Sequence, residues 1–217
     1  YGDVMFSLLT KGELLCDFVN LSRPAADSLK ALEVYNERVN FPHSAIIYGL
    51  HINDIIEFSA NEISTNSFVK FPGFRYSFVV RFLAVSFDNL ISREKRLRKI
   101  LDPSALSRPF FTKNFAAIKE LSRLAKRERI PFVVLLYPVL IDLKAQRFAG
   151  LYADLIALLR KEEIHVIDLT KNLNSFKDQD LWITPFDQHP NETANKIFAR
   201  EAAEGLAKSI PNCYRRN

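Results

Sequence analysis

Residues 131–138 read Pro-Phe-Val-Val-Leu-Leu-Tyr-Pro, and this run restricts the fold more than any other. It is an unbroken apolar stretch, rich in strand-favouring side chains and bracketed by prolines. That is too short for a helix of ordinary length, and it offers no polar face to water. Such a run suits a parallel strand covered by helices on both sides. The segment 44–49, Ser-Ala-Ile-Ile-Tyr-Gly, has the same character, and 165–169, His-Val-Ile-Asp-Leu, is a shorter example. An earlier stretch, Leu-Leu-Cys-Asp-Phe-Val-Asn-Leu at 14–21, also reads as a strand.

Helical spacing fills the gaps between these runs. A helix is expected over 26–36, burying Leu29, Leu32, Val34 and Tyr35. Another is expected over 145–161, through Phe148, Leu151, Tyr152, Leu155, Leu158 and Leu159, and a last one over 192–208, capped by Asn191. Strand and helix in alternation predict a flavodoxin-like α/β fold. It would be a three-layer α/β/α sandwich with a mostly parallel sheet, lacking an obvious first strand. The 217 residues suffice for one domain with a sizeable core and are too few for two ordinary ones.

The segment 61–109 breaks the rhythm. It carries Phe68, Phe71, Phe74, Tyr76, Phe78, Phe82 and Phe87, then the basic run Arg93-Glu-Lys-Arg-Leu-Arg-Lys99. It reads as an insertion with an amphipathic helix over about 76–101. Either it packs its aromatics on the core as a lid or flank, or it presents a surface to a lipid or acyl chain.

Charge and cysteine usage narrow the function classes. Lys and Arg number 30 against 25 Asp and Glu, a net +5, with a second basic stretch at 119–129. Both basic stretches read as solvated faces of amphipathic helices. Attraction to an anionic lipid surface, hence peripheral membrane contact, or to an acidic glycan is the alternative. No recognised motif accompanies the charge to suggest nucleic acid. Hydrophobic residues at 48% and charged residues at 25% fit a globular protein, and no apolar run approaches the ~20 residues of a membrane span. Cys16, within an apolar run, reads as an inert buried thiol and Cys213 as part of a polar tail; neither forms a metal-type Cys-x-x-Cys. No signal peptide is visible. Because the chain does not begin with Met, the compartment stays open, extracytoplasmic or membrane-associated sites included.

In parallel α/β sheets, ligands bind at the carboxyl ends of the strands. That rule singles out three segments. After the run 44–49 comes Tyr48-Gly49-Leu50-His51-Ile52-Asn53-Asp54, where the Asn53 amide could donate to a developing oxyanion and Gly49 could allow close backbone approach. An Asn that merely caps or turns is the alternative, and Asp54 reads as a helix cap. His51 reads as a structural hydrogen-bonding residue that could also line the pocket. The segment Asp187-Gln188-His189-Pro190-Asn191 precedes the last helix. Here His189 could act as a general base, with Asp187 holding its tautomer across one tight turn, or both could be ordinary loop residues of a flavodoxin-like binding domain. Trp182 reads as packing under this loop, with an acyl-chain contact as the other option. The third segment, 20–28, is Asn-Leu-Ser-Arg-Pro-Ala-Ala-Asp-Ser, in which Ser28 reads chiefly as a helix-start residue.

The order of the three resembles the SGNH (GDSL-like) hydrolase family. It runs Asn-Leu-Ser-x-Pro-Ala-Ala after a strand, then Gly-x-x-x-Asn-Asp after a strand, then Asp-x-His-Pro-Asn before a terminal helix. The resemblance implies Asn53 as an oxyanion-hole donor, His189 as general base and Asp187 as its orienting partner. It also implies backbone N–H donors at Ala25, Ala26 and Gly49. Ala25 or Ala26 stands where the family usually has Gly, and the spacing from Gly49 to Asn53 is longer than usual. The family's nucleophilic Gly-Asp-Ser has no counterpart here. Gly2-Asp3-Val4 has Val in place of Ser, and 1–11 reads as the helix that follows the nucleophile block, so the nucleophile is unknown and expected upstream. The implied activity is a serine esterase acting through an acyl-enzyme on an acyl ester, such as an acetylated glycan or a lipid ester. It needs no cofactor or metal. The alternatives are an acyltransferase on the same fold and a non-catalytic binding domain lacking the Ser.

Overall fold

The computed structural model describes residues 16–23, 26–56, 103–185 and 187–213. At its centre is β2, Phe132–Tyr137, the proline-bracketed run, with every residue buried. It pairs in parallel with β1, Ile46–His51, on one side and β3, His165–Asp168, on the other, giving a sheet ordered β1-β2-β3. Because strand side chains alternate between faces, β2 divides its residues between two cores. Phe132, Val134 and Leu136 join one hydrophobic cluster, while Val133, Leu135 and Tyr137 join the other.

The helices sort accordingly. The first cluster takes Phe111, Phe115, Ile118, Leu121 and Ala125 from α2, Pro109–Glu128, and Leu151, Leu155 and Leu159 from α3, Ala149–Lys161. These positions recur at three- and four-residue spacing, so one stripe of each helix faces the sheet. The second cluster takes Ala194, Phe198, Ala202 and Leu206 from α4, Glu192–Ser209. Helices therefore cover both faces of a mixed α/β core. Gly205 on α4 lies so close to β3 that a Cβ there would stand 2.6 Å from the Ile167 side chain.

The remaining helix, α1 (Ser28–Arg38), is capped by the Asp27 side chain, which accepts the Lys30 N–H. It lies against α2, where the buried Asn114 accepts the Leu29 N–H at 3.1 Å and donates to the Phe110 carbonyl. One polar side chain thus satisfies an orphan N–H of another helix's first turn. The Asn191 cap of α4 is present, its side chain accepting the Ala194 N–H.

Several expectations change. Leu29, expected on the buried side of α1, is exposed. Residues 16–21 of the strand-like run at 14–21 adopt no strand; that run's first two residues lie outside the described set. Cys16 is not a free thiol, for it forms a disulfide with Cys213 across 197 residues, with Cα atoms 5.0 Å apart. Cys213 is buried against α4 rather than part of a polar tail. The pairing was hidden from the sequence because nothing in the linear spacing brings the two ends together. Closing so long a loop constrains the unfolded chain by roughly 5 kcal/mol in the chain-entropy picture. Such a bond persists in oxidising compartments.

The helix expected at 1–11, the Gly2-Asp3-Val4 segment and the insertion's helix over 76–101 lie outside the described residues, as do its aromatics and the first basic run. The end of the insertion forms a 3-10 turn, Pro103–Ser107, that leads into α2. Among the described residues, no helix is long and apolar enough to cross a membrane.

Candidate functional site

The parallel register of β1 and β2 ends with His51 opposite Tyr137. Adjacent parallel strands place paired residues on the same face, and the two rings stack, with centroids 4.5 Å apart and planes 11° from parallel. Tyr137 in turn meets Phe198 of α4 edge-on at 5.5 Å. Both strands end at the carboxyl edge of the sheet, where the loops carry the chemistry of this fold class. The His51 residue is exposed overall. Even so, protein crowding around its ring disfavours the imidazolium, and the charge of nearby His189 adds to the effect. Its pKa is held well below the ordinary histidine range, so the ring is neutral at pH 7.

Directly after β1 the chain makes a 3-10 turn, Ile52–Asp54. Asn53 sits exposed at its middle, with no side-chain hydrogen bond among the described residues. Asp54 turns back, its Oδ2 accepting the His51 N–H at 2.9 Å. Burial pushes its carboxyl up to about 7; the His51 N–H opposes the shift and the charge of Asp27 adds to it. Ser28 is fully buried, its hydroxyl accepting from Tyr48 at 3.0 Å and donating to the Asp54 carbonyl at 3.4 Å. This bridge fastens the start of α1 to the turn that carries Asn53. Burial raises the Tyr48 phenol above its ordinary range, so it stays a donor.

The second half of the site is an antiparallel hairpin that the sequence reading had taken for a loop. It comprises β4, Trp182–Thr184, and β5, Asp187–Pro190, with a register irregularity between them. Two residues apart on one strand, Asp187 and His189 point to the same side. His189 Nδ1 lies 2.5 Å from Asp187 Oδ1, which also accepts the His189 backbone N–H at 3.1 Å. Strand alternation, not a tight turn, makes the pair. The side chains are 67% and 44% exposed, so their contact adds little to folding stability. Asn191 secures the end of the hairpin, donating from Nδ2 to the carbonyls of Asp180 and Trp182. Trp182 is half-buried against both cores.

His51, two residues before Asn53, is near enough to His189 for the two charges to interact. Of the expected backbone donors, Ala25 lies outside the described residues. The Ala26 N–H faces the Arg23 carbonyl at 3.4 Å within a turn. Gly49 is exposed, and a Cβ there would lie 3.4 Å from the Tyr137 ring, so its close approach is to that ring. Sequence reasoning missed Tyr137. It could have been found as the last residue of the most obvious strand, since that end of the sheet carries the site.

Two hollows lie elsewhere. One, of about 400 Å3, runs along α2 and is lined by Lys119, Arg123 and Lys126, which pair with Glu162, Glu120 and Glu163. The other, of about 390 Å3, is at the amino end of β2 beside Pro131 and His165. Neither contains His189. Among the described residues, no group of three or more His, Cys, Asp or Glu is arranged to hold a metal ion. The chain matches no family model, no curated protein and no solved structure.

Proposed function

We propose that this chain is the greater part of an SGNH-type serine esterase domain, its helices and sheet forming that family's three-layer sandwich. The observation that carries the reading is the Asp187–His189 contact.

In this reading a serine hydroxyl attacks the ester carbonyl while its proton passes to His189 Nε2. Asp187 keeps the other ring proton on Nδ1 and stabilises the imidazolium. The Asn53 amide holds the oxyanion of the tetrahedral intermediate. Collapse of that intermediate breaks the bond to the alkoxy group, which leaves as alcohol with the proton from His189. Water then attacks the acyl-enzyme, again giving a proton to His189, and the acid departs as serine is restored. A strand ending in Gly-Asp-Ser upstream of Tyr1 would supply the nucleophile. The substrate is an acyl ester of a glycan or a lipid, and the chemistry requires no cofactor.

The test is to express the protein with its native upstream sequence and treat it with a fluorophosphonate. One serine is expected to become labelled, with hydrolysis of a short acyl ester lost in parallel. His189→Ala should abolish both, and Asn53→Ala should slow turnover about 10²–10³-fold. Absence of labelling in a folded protein would turn the reading to a non-catalytic binding domain.

A further inference from the structure

The Asp187–His189 pair sits on a short, exposed hairpin, and the question is what fixes that hairpin against the sheet. Just before it lies a 3-10 turn, Asp178–Leu181. The Asp178 carboxylate accepts two backbone N–H groups, from Asp142 at 2.7 Å and from Leu143 at 3.1 Å. Those groups belong to the loop that follows β2, where Asp142 has a left-handed backbone (φ 56°). Four residues after Asp178, the Trp182 Nε1–H donates to the Leu140 carbonyl of the same loop at 2.6 Å. Leu140 and Leu143 are buried, so the loop itself is anchored in the core. Beyond the hairpin, Asn191 takes hold of Asp180, Leu181 and Trp182 through its side chain and its backbone N–H.

We infer that Asp178 is a positioning residue. Through the loop after β2, and together with Trp182, it fixes the place of the Asp187–His189 pair relative to His51 and Tyr137. A carboxylate can accept both N–H groups at once; an alanine would leave two donors without a partner, and the loop would have to rearrange to satisfy them. The hairpin would then lose one of its two hydrogen-bonded ties to that loop, leaving the Trp182 Nε1–Leu140 bond. Asp178 touches neither His189 nor any reacting atom, so its effect is one of placement.

The inference concerns the pair that the esterase reading uses, but its test does not need turnover. His51 is the reporter, because the His189 charge contributes to holding its pKa down. The His51 ring proton would be followed by NMR titration in the wild-type protein and in Asp178→Ala, Asp178→Asn, Trp182→Phe, His189→Ala and the double variant Asp178→Ala/His189→Ala. Asp178→Ala should raise the His51 midpoint by about as much as His189→Ala does. Asp178→Asn, which keeps one acceptor oxygen but turns its NH2 towards the other N–H, should give a smaller rise than Asp178→Ala. In the His189→Ala background, Asp178→Ala should add nothing. An equal rise in that background would mean that Asp178 merely opens the site to water, and the inference fails. It fails too if only the melting temperature falls and the His51 midpoint stays put. Should Asp178→Ala not fold, Trp182→Phe decides by the same criterion, since it removes the second tie. A fluorophosphonate that labels nothing would overturn the esterase reading and leave this result standing.

Discussion

The centre of the sheet and the hairpin after it obey different rules. β2 is buried throughout and packed on both faces, whereas His189 stands mainly in water and Asp187 is partly exposed. Burial of apolar area drives the first, at roughly 25 cal/mol per Å2. The second is held by a few directed hydrogen bonds, each worth only about 0.5–1.5 kcal/mol net. Stability and the proposed chemistry are therefore divided between two regions, and a substitution in one should leave the other's property largely alone.

The largest test of that division is Leu136→Ala, at a fully buried site in β2. It should cost about 2–5 kcal/mol in denaturant unfolding. A loss under 1 kcal/mol would mean the core can collapse around the gap. Gly205→Ala comes next, since a methyl must displace Ile167; a loss of roughly 1–3 kcal/mol is expected.

Asp54 lies between the regions and sharpens the boundary by its pH dependence. Its carboxyl is raised from 3.8 to about 7 in the fold, so between these values the native protein keeps a proton that the unfolded chain releases. That contribution is fully present below pH 3.8 and is lost as pH rises towards 7. Asp54→Asn stays neutral throughout, so its stability relative to wild type should grow over this window by about 1–3 kcal/mol and then level off. A difference that does not vary with pH would show Asp54 to be well solvated. The smallest expected effect on folding is that of His189→Ala, within about 0.5 kcal/mol of wild type despite the predicted loss of turnover. A larger destabilisation would make the pair part of the scaffold and break the division.

Legibility followed the same boundary. The strands at 46–51, 132–137 and 165–168 and the helices ending at Lys161 and Ser209 could be read in advance, because periodicity and burial are written residue by residue. Asp187 and His189 were also legible, being two residues apart, although the hairpin that aligns them was not. Hidden from the sequence were the contacts between distant segments. Examples are Tyr137 beneath His51, the Ser28 bridge from Tyr48 to Asp54, and Asp178 on the loop after β2.

Local pattern alone determined that this chain would build a parallel α/β core and place Asn53 just after the carboxyl end of a strand. Apolar spacing acts over a few residues and needs no partner to be read. Only the tertiary structure decided that Cys16 joins Cys213, and that His51 stacks on Tyr137. Such pairings depend on three-dimensional closure of long loops, and no spacing within the chain encodes them.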